Sequence, residues 1–337
     1  MLYPYRPSAI KNQLRFNFGV VVPEAKAKSP MSGELSCITT ECLLQGSEGS
    51  TVDIEVRFLQ LAQRDVEVPR LGESPSSSVG SREFQRVEWC EVNGRFLSSW
   101  QEAVERRIRA GPFAISALLE QPEQKGFAFD AVREIEPIYD QDGELAARFV
   151  RHREKLSGNL DVAVIRLDAN LFKLTAKIVN TSPFCEIGAS NQESANLSSF
   201  LSTHKVLRCT GAAFVSLTDP PERLRELVSA CKNAGTWPVL AGESPGNADV
   251  LLSSPIILYD YPEIAPESAG ELFDGTEIDE ILALRILTMT DEEKREMRSV
   301  DDRTRAILER TELLSPEQFM KLHGAMRALA AAGKERA

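Results

Sequence analysis

Aromatic residues make up only 7% of this 337-residue chain, and histidine occurs three times, as His152, His204 and His323. None of the three has a second ligand at helical spacing, so each is expected to be structural rather than catalytic or metal-binding. The nucleophile-elbow and P-loop patterns are both missing, and Gly242 to Gly246 do not open a helix whose amides would hold a phosphate. Six cysteines are scattered as Cys37, Cys42, Cys90, Cys185, Cys209 and Cys231, without the close pairs that tetrahedral zinc requires. They read as reduced thiols, and His204 with Cys209 is the one Cys–His pair to weigh as a catalytic dyad.

Basic residues are also short, 39 against 50 acidic, for a formal charge of -11. That balance opposes nucleic-acid binding, and no basic patch offsets it. Long apolar runs are lacking too. Val250 to Tyr259, the most apolar later stretch, contains two serines and a proline and falls well short of the ~20 residues a bilayer span needs. Arg6, Lys11 and Arg15 interrupt the first residues, so no secretory signal can be drawn there. A cytoplasmic protein, neither membrane-spanning nor nucleic-acid-binding, is the expectation.

What is present is ordinary globular composition, 42% hydrophobic and 26% charged, on a length that suits one large domain or two smaller ones. Alternation puts Val52, Ile54, Val56 and Phe58 on one face of a strand and Asp53, Glu55 and Arg57 on the other. Asn12 to Val22 alternates similarly. Phe84 to Leu97 reads as a hairpin turning at Asn93 and Gly94, Gly126 to Val150 as strands turning at Asp140 to Glu144, and Leu160 to Val179 as a hairpin turning at Asp168 to Asn170. Val206 to Leu217, Trp237 to Leu240 and Val250 to Tyr259 complete the strand pattern.

Helices are expected over Trp100 to Ala110, Asn196 to Leu201, and Asp219 to Ala234, where Asp219 would cap and two prolines would follow. Residues 72 to 82, rich in serine and glycine, are expected to form a mobile loop. The fold class is therefore α+β, a mainly antiparallel, sandwich-like sheet body over 1–270 with an acidic helical region over 271–337. Thr276, Thr290 and Ser315 mark three helix starts of the capping-box type in that region. Ile278, Ile281, Leu282 and Ile286 are expected to pack on the body, leaving Asp291, Glu292, Glu293 and Glu296 in solvent.

The charge is segregated. Between Asp260 and Asp302 there are fourteen acidic residues and four basic ones, nearly the whole deficit of the chain. Three readings stay open: solvated helix starts favoured by the macrodipole, a docking face for a basic partner, or a hard-cation site drawing on Asp260, Glu263, Glu267, Asp274, Glu277 and Asp279. In the segment SPIILYDYPEIAP, Ser254 to Pro266, a strand running into Tyr259, Asp260 and Tyr261 is followed by two prolines, Pro262 and Pro266, that force the chain to leave the sheet. It either tethers the helical region or presents Tyr259, Tyr261 and Glu263 at a contact surface.

The run GTWPVLAGE, from Gly235, and LLSSPIILYDYPEIAPESAGELFDGTEIDEILALRILTMTDEEK, from Leu251, resemble the most distinctive part of an uncharacterised bacterial protein family. Its members are similar to proteins encoded beside NiFe-hydrogenase structural and maturation genes. The resemblance is close from Val206 to Gly324 and loose over the N-terminal sheet. It implies a hydrogenase-associated protein without implying a chemistry. With no assembled catalytic signature, the expected function is a non-catalytic accessory or assembly protein that binds another protein and carries no cofactor. The alternatives are a metal-dependent hydrolase or other enzyme using the Asp260 to Asp279 carboxylates, and small-ligand binding near Trp89, Trp100 or Trp237.

Overall fold

One strand organises the molecule. In the computed structural model, which describes residues 18–28, 33–70, 83–184, 192–242, 246–263, 279–300 and 302–315, β1 runs from Cys37 to Pro69, 33 residues. Strands this long cannot stay straight under the native twist. The register with β11 (Leu201–Phe214) shifts between Gly46 and Thr51, and β1 serves different neighbours on either side of that point. Its first part pairs with β10 (Leu171–Asn180), its middle with β11 and β5 (Trp100–Ala114), and its last part with β2 (Phe84–Val87) and β8 (Leu145–Arg153).

Every strand pairing among the described residues is antiparallel. The main path is β12 (Trp237–Leu240), β13 (Val250–Ser254), β11, β1, β10, β9 (Leu156–Asp168) and β6 (Glu123–Phe129). β7 (Val132–Tyr139) pairs with β8, and β3 (Trp89–Val92) with β4 (Arg95–Ser98) forms a separate hairpin. The sheet curls back on itself, so that Lys125 Nζ on β6 donates to the Arg109 carbonyl on β5 at 2.6 Å. On its inner face lies one main core, containing Val52, Ile54, Val56 and Phe58 as the alternation predicts, with Phe172, Leu207 and Leu251. Phe58 stacks on Phe200 with centroids 4.4 Å apart. This is the α+β fold with a large antiparallel sheet body that the alternating strands imply.

The hairpins fall where their turn residues put them. Asn93 and Gly94 both have positive φ, 54° and 72°, the geometry of a two-residue turn matched to strand twist. Leu171 opposes Asp168 across the Ala169–Asn170 turn, and Tyr139 opposes Leu145. Two helices precede and follow the early sheet: α1 (Glu24–Ala27) and α2 (Ile115–Glu120), whose Ile115 and Leu118 are buried in the core.

Several helix expectations are corrected. Trp100 to Ala110 is strand β5, not a helix, because pairing with β1 from Thr51↔Ala114 to Arg64↔Trp100 outweighs local preference. Its charges meet β1 side chains across the ladder: Arg57 Nε binds Glu105 at 2.8 Å, Arg64 Nη1 binds Glu102 at 2.8 Å, and Arg109 Nε binds Glu55 at 2.7 Å. The helix expected at Asn196 lies earlier, as α3 (Gln192–Leu197), and Leu201 already belongs to β11.

The long helix expected from Asp219 to Ala234 is reduced to a 3-10 turn, Glu222–Leu224, and α4, Arg225–Ser229. Beyond it the chain is claimed by β1. Ala234 bridges Thr39, and the Asn233 amide both accepts from Glu41 N at 2.9 Å and donates to the Glu41 carbonyl. Within Asn12 to Val22, residues 18–22 carry only a bridge from Val21 to Phe200. Residues 12–17, and residues 72–82 where a mobile loop was expected, lie outside the described residues.

Three helices end the described chain: α5 (Asp279–Leu287), α6 (Asp291–Val300) and α7 (Asp302–Glu312). The Thr290 capping box forms as expected, with Thr290 N donating to Glu293 Oε2 at 2.8 Å and Glu293 N to Thr290 Oγ1 at 3.2 Å. α7 was not expected; the predicted start at Ser315 leads into undescribed residues. Ile286 packs with Met297, Ile307 and Leu308 in a cluster of the helices' own rather than against the body, which corrects that expectation. The side chains of Ile278, Ile281 and Leu282 are outside the described set. The helices meet the body through Arg64, whose Nη2 donates to the Ser299 carbonyl at 3.2 Å and to the Ser98 carbonyl at 3.0 Å.

Candidate functional site

Strand β12 should be an open edge, because it pairs only with β13. An unpaired edge invites other chains. Here it is closed from two directions. Pro238 has no N–H to offer. At Leu240 the segment leaving β13 returns alongside: Leu240 N donates to Asp260 Oδ1 at 2.8 Å, and Tyr261 N donates to the Leu240 carbonyl at 2.6 Å. Asp260 Oδ2 also accepts from Ser216 Oγ at 2.5 Å and Thr218 Oγ1 at 2.7 Å. Tyr261 adopts φ 55°, packs on the main core, and accepts a hydrogen bond from Gly246 N at its hydroxyl, 3.3 Å away.

Pro255 ends the expected strand early, at Ser254, so the chain between Pro255 and Asp260 bows outward. Ile257 is 76% exposed and Tyr259 90% exposed, and Trp237 at the start of β12 is 46% exposed. Two large apolar side chains are thus displayed on a short bow whose far end is pinned by Asp260 and Tyr261. Of the sequence-predicted contact residues, Tyr259 and Glu263 are exposed, while Tyr261 is turned inward as an anchor. Asp291 and Glu292 are exposed at the start of α6; Glu293 is half-buried as a cap and Glu296 is half-buried.

The carboxylates proposed as cation ligands are not gathered by the described structure. Asp260 already accepts from three protein donors, Glu263 is exposed, and no group of three or more His, Cys, Asp or Glu suited to a metal occurs among the described residues. Glu267, Asp274 and Glu277 lie outside the described residues, as does the side chain of Asp279. Trp89 stacks on Phe96 at 5.5 Å on the surface, so neither it nor Trp237 lines an interior space.

His204 and Cys209 do not form a dyad. In β11 an odd spacing puts them on opposite faces, His204 with exposed Arg208 and Cys209 with buried Leu207. Burial pushes the His204 ring down to about 4 and the Cys209 thiol up to about 11, so neither is charged near neutrality. His204 Nδ1 faces the Ser202 carbonyl at 2.9 Å.

The alternation of β11 also carries Lys205 inward, a residue the sequence reading passed over although Leu207 and Cys209 set its phase. Lys205 is completely buried, and that burial pushes its amine down to about 7. Nζ donates to the Ile38 carbonyl at 3.3 Å. Opposite it in register stands Ser253, whose Oγ lies 2.6 Å from Thr40 Oγ1 and 2.5 Å from Thr236 Oγ1. A neutral lysine near a serine is the pairing used by Ser–Lys hydrolases. Here both residues are fully enclosed and Ser253 Oγ is engaged by two threonines, so the cluster is built as an interior polar network.

No protein-family model matches the chain, and the comparison with curated proteins gives no match. No helix among the described residues is long and apolar enough to cross a membrane.

Proposed function

We propose that this protein is a non-catalytic accessory or assembly protein that acts by binding another protein, in the cytoplasm, with Ile257 and Tyr259 as the central contacts. The observation that carries this reading is the pinned bow: Asp260 and Tyr261 hold Leu240 on one side while Ile257 and Tyr259 point to solvent. Exposed aromatic and aliphatic anchors on a preordered segment are what tight protein contacts use, because little entropy is lost on docking. Glu263 beside them, and Asp291 and Glu292 on α6, favour a partner with basic residues around an apolar pocket.

The resemblance to proteins encoded beside NiFe-hydrogenase genes makes hydrogenase subunits and maturation proteins the first candidates. The test is affinity capture with purified candidates, comparing the wild type with Ile257→Asp/Tyr259→Asp. The reading expects the double variant to stay folded and lose at least tenfold in affinity. Equal affinity would overturn it. The carboxylate-enzyme alternative gains no support from Asp260, whose oxygens are taken up in closing the β12 edge.

A further inference from the structure

We infer that Lys205 is a proton-sensitive latch at the junction of β11, β13 and the start of β1, held most firmly when its amine is neutral and loosened when the amine gains a proton. The inference rests on geometry. Each hydroxyl has a single proton, and Thr236 Oγ1 commits its own to the Ser254 carbonyl at 3.1 Å. Ser253 must then donate to Thr236, and Thr40 to Ser253. The chain of hydroxyls is satisfied without Lys205.

Among the described residues, the one acceptor at the amine is the Ile38 carbonyl, at 3.3 Å. An ammonium carries three donors and a full charge. The groups facing it are few. From β1 come Ile38, Thr40 and Cys37, whose thiol is the one titratable neighbour among the described residues that acts electrostatically on the amine; from β13 comes Ser253, and from the approach to β12 comes Thr236. On β11 itself, His204 and Arg208 belong to the opposite face. On β1, Glu55 and Arg57 flank the register partner Val56 and point outward to Arg109 and Glu105. No carboxylate faces the amine among the described residues, so within them a charged Lys205 is buried with no counter-charge.

A solvated lysine in a locally opened state holds its proton up to its ordinary value of 10.5, whereas the enclosed one releases it above about 7. Between those values the open state carries the extra proton, so falling pH favours opening, and below about 7 both states are protonated and the dependence ends. The segments released are those held there: the end of β13, the start of β12 and the first residues of β1. β13 leads into the bow that carries Ile257 and Tyr259, so the latch adjusts the proposed binding surface; its own test does not depend on that binding.

The experiment is amide hydrogen exchange on the full chain from pH 6 to 9.5, normalised to intrinsic rates, with Lys205→Met as control. In the wild type, opening of residues 203–209 and 250–254 should increase roughly tenfold per pH unit between about 9.5 and 8, and level off below about 7. The variant should show no such step. A parallel NMR titration of the unmodified lysine side chains, in protein carrying 13C-labelled lysine, should find one lysine titrating near 7, absent from the variant. Lys205 titrating near 10 would overturn the inference, even if the variant fails to fold. So would opening equally pH-dependent in Lys205→Met.

Discussion

The Asp260 carboxylate accepts the outward N–H of Leu240 at 2.8 Å, and the next residue, Tyr261, returns the bond to the Leu240 carbonyl at 2.6 Å. A single main-chain residue at the rim of an eleven-stranded sheet is thereby satisfied on both sides. The segment that would otherwise be a loose connection becomes a fixed support.

Removing that support should cost stability. Asp260→Ala leaves Leu240 N, Ser216 Oγ and Thr218 Oγ1 without their acceptor, and hydrogen bonds to a charged group suggest a loss of about 2–4 kcal/mol. Asp260→Asn keeps an acceptor for Leu240 and should recover about half of this, since both hydroxyls can turn to accept from the amide. Urea unfolding of the two variants measures the difference.

Gly158 tests the packing of the aromatic cluster. A Cβ at this position would lie 2.5 Å from Phe127 Cζ, 2.5 Å from the Val179 carbonyl oxygen and 2.9 Å from Phe200 Cζ. Gly158→Ala must displace main chain as well as rings, and should destabilise by roughly 2–4 kcal/mol. Near-ultraviolet circular dichroism and thermal unfolding report it.

Lys205→Met should stabilise the protein at neutral and acid pH. The wild type has a folded amine value of about 7 against an ordinary 10.5. Its unfolded state binds the extra proton between these values, so wild-type stability rises with pH from about 7 to 10.5 by on the order of 4–5 kcal/mol, an upper figure. The Met variant lacks that slope, and denaturation at pH 6.5 and 9.5 compares the two.

The helical region has two kinds of surface. Met297→Asp places a charge in the Ile286, Ile307 and Leu308 cluster and should melt α5 to α7 while leaving the sheet intact. Asp291→Lys with Glu292→Lys changes exposed positions and should alter stability by less than about 1 kcal/mol. Limited proteolysis and circular dichroism distinguish these outcomes.

The sheet was legible because its signals are local. Alternation fixed the inward face of β1, and Asn93–Gly94 and Asp168–Asn170 carried their turns in their own side chains. The failures are cases where partners distant in sequence decide. Glu102, Glu105 and Arg109 look like a charged helix face until Arg64, Arg57 and Glu55 are placed beside them. The helix before Gly235 ends early because Glu41 and Thr39 take Asn233 and Ala234. At the candidate site, the exit from the sheet was expected at Pro262 and Pro266, but Pro255 already ends the ladder after Ser254. Which tyrosine faces outward depended on Leu240 and Gly246, which no local pattern reveals.

The central claim is that the bow between Pro255 and Asp260 is a protein contact surface. Its most direct test is a photo-crosslinking side chain at Tyr259, with Tyr139, 55% exposed on β7, as control. Crosslinking in cells of the source organism, followed by mass spectrometry and rebinding of the purified partner, should give one dominant protein adduct from position 259. That adduct should be absent from position 139 and reduced at least tenfold by Ile257→Asp. Identical adducts from both positions, or none from 259 while the protein is folded and abundant, would contradict the account.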